Sequence, residues 1–127
     1  MPSADDAMNQ VSRAESSGDL SPTAAANIRR WLTEPPFAAY RDRLVEDIIA
    51  GRWKALDDAF YAVLEFGTGG RRGKMYPVGT NVLNARTMGE SARGLADYVA
   101  SKKSAGEPRS CVIARDTRHN SPEFASI

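Results

Sequence analysis

The stretch from Phe66 to Asn84, FGTGGRRGKMYPVGTNVLN, holds five of the chain's ten glycines and its densest basic cluster, Arg71, Arg72 and Lys74. No helical periodicity runs through it, so it must be loop or irregular structure. Glycine reaches left-handed backbone conformations without penalty, and successive backbone N–H groups in such turns form concavities that fit anions. The stretch follows the apolar run Tyr61–Phe66, which reads as an extended segment delivering a glycine-rich, basic loop. A loop of this kind is shaped to approach an anion, and phosphate is the natural candidate. The rest of the chain serves to place it beside a second polar corner, Arg115–Ser121.

The chain as a whole narrows the alternatives. Its 127 residues suffice for one domain if most of them pack. A net charge of +1 supplies no global field for nucleic acid or a membrane surface, so anion binding has to be local. No aromatic residues interleave with the basic cluster, which argues further against a nucleic-acid module. No apolar run approaches the roughly 18–20 residues that span a bilayer. The N-terminus lacks the basic and apolar regions of a signal peptide. A single cysteine, Cys111, excludes an intrachain disulfide and fits a reducing, cytoplasmic setting. Nothing fixes an oligomeric state.

Three regions are expected. Residues 1–20, rich in Ser, Ala, Asp and Glu, read as a flexible N-terminal arm, disordered or loosely helical, with Met8 and Val11 at the edge of a weak helix. Residues 21–60 read as a helical lead-in. Ser21 is a good N-cap, Pro22 suits the first helical position, and Ala24, Ile28, Trp31 and Leu32 share one face until Pro35 and Pro36 end the helix. A second helix is expected from about Phe37 to Ala50, with Phe37, Tyr40, Leu44, Val45, Ile48 and Ile49 on its apolar side and a left-handed Gly51 after it. A third helical turn is expected over Trp53–Phe60. The Trp and Tyr residues here read as core.

Residues 61–127 read as an α/β segment. Met75, Val78, Val82 and Leu83 predict irregular structure or a short hairpin. Thr87 and Glu90 have capping-box spacing, and Met88, Ala92, Leu95, Ala96 and Val99 define one face of a helix from Thr87 to about Ser104. Ser110–Ala114, SCVIA, reads as a strand buried on both faces, with Cys111 a small hydrophobe inside it. Asn120 or Ser121, followed by Pro122, predicts one more helix start. Ile127 follows about one turn later, which predicts that the sequence is a fragment of a longer protein.

Two common phosphate loops do not fit. A P-loop ending at Gly73-Lys74 would need glycine at Thr68 and Ser or Thr at Met75. A dinucleotide fingerprint beginning at Gly67 would need glycine at Arg72.

The residues Phe66-Gly67-Thr68-Gly69-Gly70-Arg71-Arg72-Gly73 resemble the Phe-Gly-Thr-x-Gly-x-Arg-Gly signature of the α-D-phosphohexomutases, in their phosphoglucomutase and phosphomannomutase branch. Gly79-Thr80-Asn81 with Asn84 is similar to the family's Gly-Thr-Asn-x-x-Asn segment. Asp116-Thr117-Arg118, continuing through Ser121 to Phe124, resembles its Asp-Thr-Arg-x-x-Ser-x-x-Phe corner. The resemblance runs from about Trp31 and is sharp from Leu64 onward.

It implies the start of a phosphohexomutase-type α/β domain I behind a helical lead-in, and an incomplete one. It implies transfer of a phosphoryl group between the 1- and 6-positions (or 1- and 5-positions) of a phosphosugar. The family does this through a phosphoserine, Mg²⁺ and a sugar bisphosphate intermediate. Arg72 would lie beside the phosphoserine as the catalytic arginine, its guanidinium fork holding phosphoryl oxygens. Thr68, Arg72 and Arg118 would bind substrate phosphate. For Arg118 the competing reading is an ion pair with Asp116 or Glu123. Arg71 and Lys74 read as surface or supporting residues, and Ser121 as an N-cap rather than a nucleophile.

The family's Thr-Ala-Ser-His-Asn-Pro-type serine loop, its Asp-x-Asp-x-Asp metal segment and its sugar-selecting loop have no counterpart in these residues. No metal ligands are therefore assigned, and the chain alone is expected to be inactive. The alternative is a non-catalytic protein with at most weak anion binding.

Overall fold

The computed structural model describes residues 3–67 and 69–127. The chain forms two compact units, Met1–Asn84 and Ala85–Ile127. The glycine-rich segment packs on the helices that precede it and so falls in the first unit.

The first unit is a helical cluster. Helix α1 spans Ala4–Ser17. In place of the flexible, at most loosely helical arm expected over residues 1–20, the structure has a capped and packed helix. Ser3 accepts from the Asp6 backbone N–H while the Asp6 side chain accepts from the Ser3 backbone N–H, which closes a capping box. Gly18 ends the helix at φ 85°, and Ala7, Val11 and Ala14 are buried, followed by Leu20. Small residues at helical spacing form a narrow apolar stripe that composition alone reads as disorder.

Helix α2, Pro22–Thr33, starts where Ser21 and Pro22 place it, with the Ser21 side chain accepting from the Ala24 N–H. The Ser21 N–H in turn donates to Asp57 at 2.7 Å. Trp31 lies at the centre of the unit, stacked on Phe37 at 4.7 Å and edge-on to Phe60 at 5.2 Å. The expected second helix is split. Pro35–Tyr40 is a 3₁₀ turn, and α3 runs over Arg41–Ile49. Leu44 and Ile48 are buried as expected, but Ile49 is exposed and Asp47 is fully buried. Gly51 takes φ 65°, and α4 spans Trp53–Phe60.

In the second unit α5 spans Ala85–Lys102 and α6 Ser121–Ala125. Helix α5 begins ahead of Thr87, so Thr87 lies inside the first turn and is not the expected cap. Asn120 is the N-cap of α6, at φ 63°. A Cβ on Gly89, in the early part of α5, would meet the Cγ2 of Ile127, which follows the end of α6, at 3.5 Å.

The expected buried strand over Ser110–Ala114 is not formed. The run has no ladder partner, Val112 is 98% exposed, and Cys111 is an exposed free thiol. Among the described residues there is no strand, only isolated bridges Gly67–Gly70 and Met75–Leu83. A strand needs neighbours to satisfy its backbone, and none of the described residues supplies them. Leu95 and Tyr98 on α5 are exposed for the same want of a facing layer. The architecture is thus the helical lead-in and the opening of an α/β domain without its sheet. No helix among the described residues is long and apolar enough to cross a membrane.

Candidate anion site on the glycine-rich loop

The loop is mounted on the C-terminal end of α4. A helix end leaves its last carbonyls without intrahelical donors, and the segment Gly79-Thr80-Asn81 supplies them. The backbone N–H groups of Thr80 and Asn81 both donate to the Ala59 carbonyl at 2.9 Å. Asn81 Nδ2 donates to the Asp58 carbonyl at 3.2 Å, and Thr80 Oγ1 to the Ala62 carbonyl at 2.6 Å. Asn27 Nδ2 from α2 takes the Phe60 carbonyl at 2.8 Å. Asn84 Nδ2 donates to the Gly79 carbonyl at 3.1 Å and so ties the segment to itself. The Gly-Thr-Asn-x-x-Asn residues therefore act as a clamp on a helix end.

The basic loop projects from this clamp. One leg is fixed by the Leu64 N–H donating to the Thr80 carbonyl at 2.8 Å. The other is fixed by the Leu83 N–H donating to the Lys74 carbonyl at 2.8 Å. Between them Gly67 N–H donates to the Gly70 carbonyl at 2.9 Å, with Gly69 and Gly70 at φ 88° and 152°. The glycines of this turn are required by these angles. Gly73 lets the legs approach, since a Cβ there would stand 3.1 Å from the Leu64 Cδ1.

The predicted site residues are treated differently by this frame. Thr68 lies outside the described residues. Arg72 is exposed on the loop and makes no hydrogen bond or ion pair among the described residues. Arg71 is half-buried and engaged. Lys74 pairs with Asp58 at 3.1 Å, which holds that carboxyl below its ordinary range.

A residue the sequence reading missed lies beneath the loop. Asp47 of α3 is fully buried. Its Oδ1 takes the Arg52 guanidinium, and Arg43 Nε straddles the carboxylate, 3.2 Å from Oδ1 and donating to Oδ2 at 3.3 Å. Its Oδ2 accepts from the Tyr76 hydroxyl at 2.8 Å. Burial, then the bond to this carboxylate, pushes the Tyr76 phenol above its ordinary pKa, and Asp47 likewise raises that of Arg43. One signal was available in the sequence. Asp47 stands three residues after Leu44 and one before Ile48, where the helical period calls for an apolar side chain.

Arg118 belongs to the second unit, Arg72 to the first. Of the two readings left open for Arg118, the ion pair with Asp116 is the one formed, at 2.6 Å. Asp116 also accepts from the Arg118 backbone N–H at 3.0 Å. The Arg118 side chain, then its backbone N–H, lower the Asp116 carboxyl from 3.8 to about 2. The Ser121 hydroxyl accepts from the Asp116 N–H at 3.1 Å, so it closes the turn. Among the described residues no group of three His, Cys, Asp or Glu side chains is arranged to hold a metal ion.

Two phosphoglucomutases, from two strains of Staphylococcus epidermidis, are each 48% identical to the chain over 64 residues. That stretch covers 50% of this chain and 11% of each relative, so the chain corresponds to a small part of their length. No solved structure matches. The family model for the alpha/beta/alpha domain I of phosphoglucomutase and phosphomannomutase matches residues 63–127, which span the clamp, the basic loop, α5 and the Asp116–Arg118 corner. The chain belongs to the phosphoglucomutase/phosphomannomutase family.

Proposed function

We propose that the chain supplies the phosphoryl-facing loop of an intramolecular phosphotransferase that interconverts sugar 1-phosphates with 6- or 5-phosphates. The observation that carries this reading is Arg72, an exposed guanidinium without a partner among the described residues, on a glycine-rich turn whose two legs are fixed. A planar fork held in this way can grip two oxygens of a phosphoryl group and neutralise charge as the group moves. Thr68 and Arg118 are the further phosphate contacts in this reading. For Arg118 to serve, phosphate has to draw it from Asp116.

The phosphoserine, the sugar bisphosphate intermediate and the choice of sugar belong to residues other than these 127. A magnesium ion finds no ligand set among the described residues, and no step of this reading runs through one. The chain by itself is therefore read as a phosphate-binding element without turnover.

The test is an assay of glucose, mannose and pentose 1-phosphates on the polypeptide isolated from its source cells, with Arg72→Ala beside it. Removing a group that stabilises transferring charge costs on the order of a hundredfold or more in kcat. The exposed side chain should leave the melting temperature unchanged. Equal, measurable turnover by the two proteins removes Arg72 from the site.

A further inference from the structure

The match to the family's domain I begins at residue 63, yet the loop is held from behind by residues that precede it. The buried Asp47 is the deepest of these contacts. Excluding a carboxylate from water is costly, and a well-packed apolar side chain commonly serves stability as well. What a buried carboxylate adds is a directed, charge-assisted hydrogen bond. Here Oδ1 takes the Arg52 guanidinium, while Oδ2 receives the Tyr76 hydroxyl at 2.8 Å beside Arg43 Nε at 3.3 Å.

Tyr76 is fixed a second time through its backbone. Its N–H meets the Leu83 carbonyl at 3.4 Å, while the Leu83 N–H takes the Lys74 carbonyl at 2.8 Å. The leg from Lys74 to Tyr76 is therefore pinned at both ends, with only Gly73 between it and Arg72.

We propose that Asp47 is a positioning residue for the anion site, acting through Tyr76 to hold the Arg72 leg in its phosphate-ready shape. The proposal rests on the reading of Arg72 as a phosphate ligand. A loop already in its binding conformation loses less freedom when the anion arrives. On this view the lead-in helices, outside the matched stretch, are part of the site's machinery.

The test uses the 127-residue chain and inorganic phosphate, followed by backbone amide shifts of Arg71–Lys74, with thermal unfolding of each variant alongside. Wild type should show saturable shifts that Arg72→Ala abolishes. Tyr76→Phe keeps the ring and removes only the hydroxyl. Its phosphate affinity should fall by about threefold to tenfold, in proportion to the lost population of the competent loop. Asp47→Asn should weaken binding to a similar extent. The double variant should be no weaker than the single ones, because the two residues form one link.

Wild-type affinity in a folded Tyr76→Phe, with binding still lost in Arg72→Ala, overturns the proposal and leaves the phosphate reading standing. If Tyr76→Phe fails to fold, Asp47→Asn decides by the same measurement. Absence of any Arg72-dependent shift in wild type overturns both.

Discussion

Gly79 lies so close to Ala59 that a Cβ on it would stand 2.6 Å from the Ala59 carbonyl oxygen and 2.8 Å from the Ala59 Cβ. This is the tightest point of the clamp that seats the glycine-rich loop on α4. It is made where the loop's two N–H donors, from Thr80 and Asn81, converge on the same carbonyl.

Gly79→Ala therefore meets two costs. The residue sits at φ 128°, where an L side chain is strained, and the added methyl has backbone on its far side. Overpacking and backbone strain each cost about 1–3 kcal/mol, so a loss of about 3 kcal/mol is expected in urea unfolding. Gly69→Ala is the comparison. It too has positive φ but open space around it, so only the strain of about 1 kcal/mol is expected. Equal losses would show that the clamp is not tightly closed.

Val11→Ala tests the helix that replaces the expected arm. Val11 is fully buried on α1. Removing two methyl groups from a packed position should cost about 2 kcal/mol. Ser3→Ala, which breaks the capping box, should cost about 1 kcal/mol. Both are read from thermal or urea melts. No change in either would return residues 1–20 to the status of an unpacked arm.

The Asp116–Arg118 pair predicts an acid-dependent corner. The folded carboxyl titrates at about 2, below its ordinary 3.8. A depressed folded pKa contributes stability that is fully present above about pH 4 and is lost as pH falls through about 2. Carbon NMR of the Asp116 side chain should show this midpoint, and Arg118→Ala should bring it back toward 3.8. A wild-type midpoint already near 3.8 would mean that Arg118 is not held by Asp116.

The sequence announced most of the elements whose signals are local. Ser21-Pro22 marked the start of α2, Gly51 the turn after α3, and Trp53–Phe60 the whole of α4. The glycine-rich loop and its exposed Arg72 were legible because glycine and arginine leave few other readings. What was not legible depends on partners. The stripe Ala7, Val11, Ala14 is too small to stand out until α2 and α3 cover it. The apolar run of Ser110–Ala114 was read as a strand because strand residues are apolar, but pairing needs neighbours. Asp47 was overlooked because a helical acid ordinarily faces water. Its burial depends on Arg52 and on Tyr76, which follows the loop.

The fit between α4 and the Gly79–Asn81 segment also fixes a length. Inserting or deleting one residue within Trp53–Phe60 would turn the helix end by about 100° and move it about 1.5 Å along its axis. The carbonyls of Asp58, Ala59 and Phe60 would then face away from their donors. Point changes on the exposed side of α4 are compatible with the loop's shape, but a change in its residue count is not. The helix serves as a gauge, and related proteins that keep this loop should vary in the spelling of α4 while keeping its length.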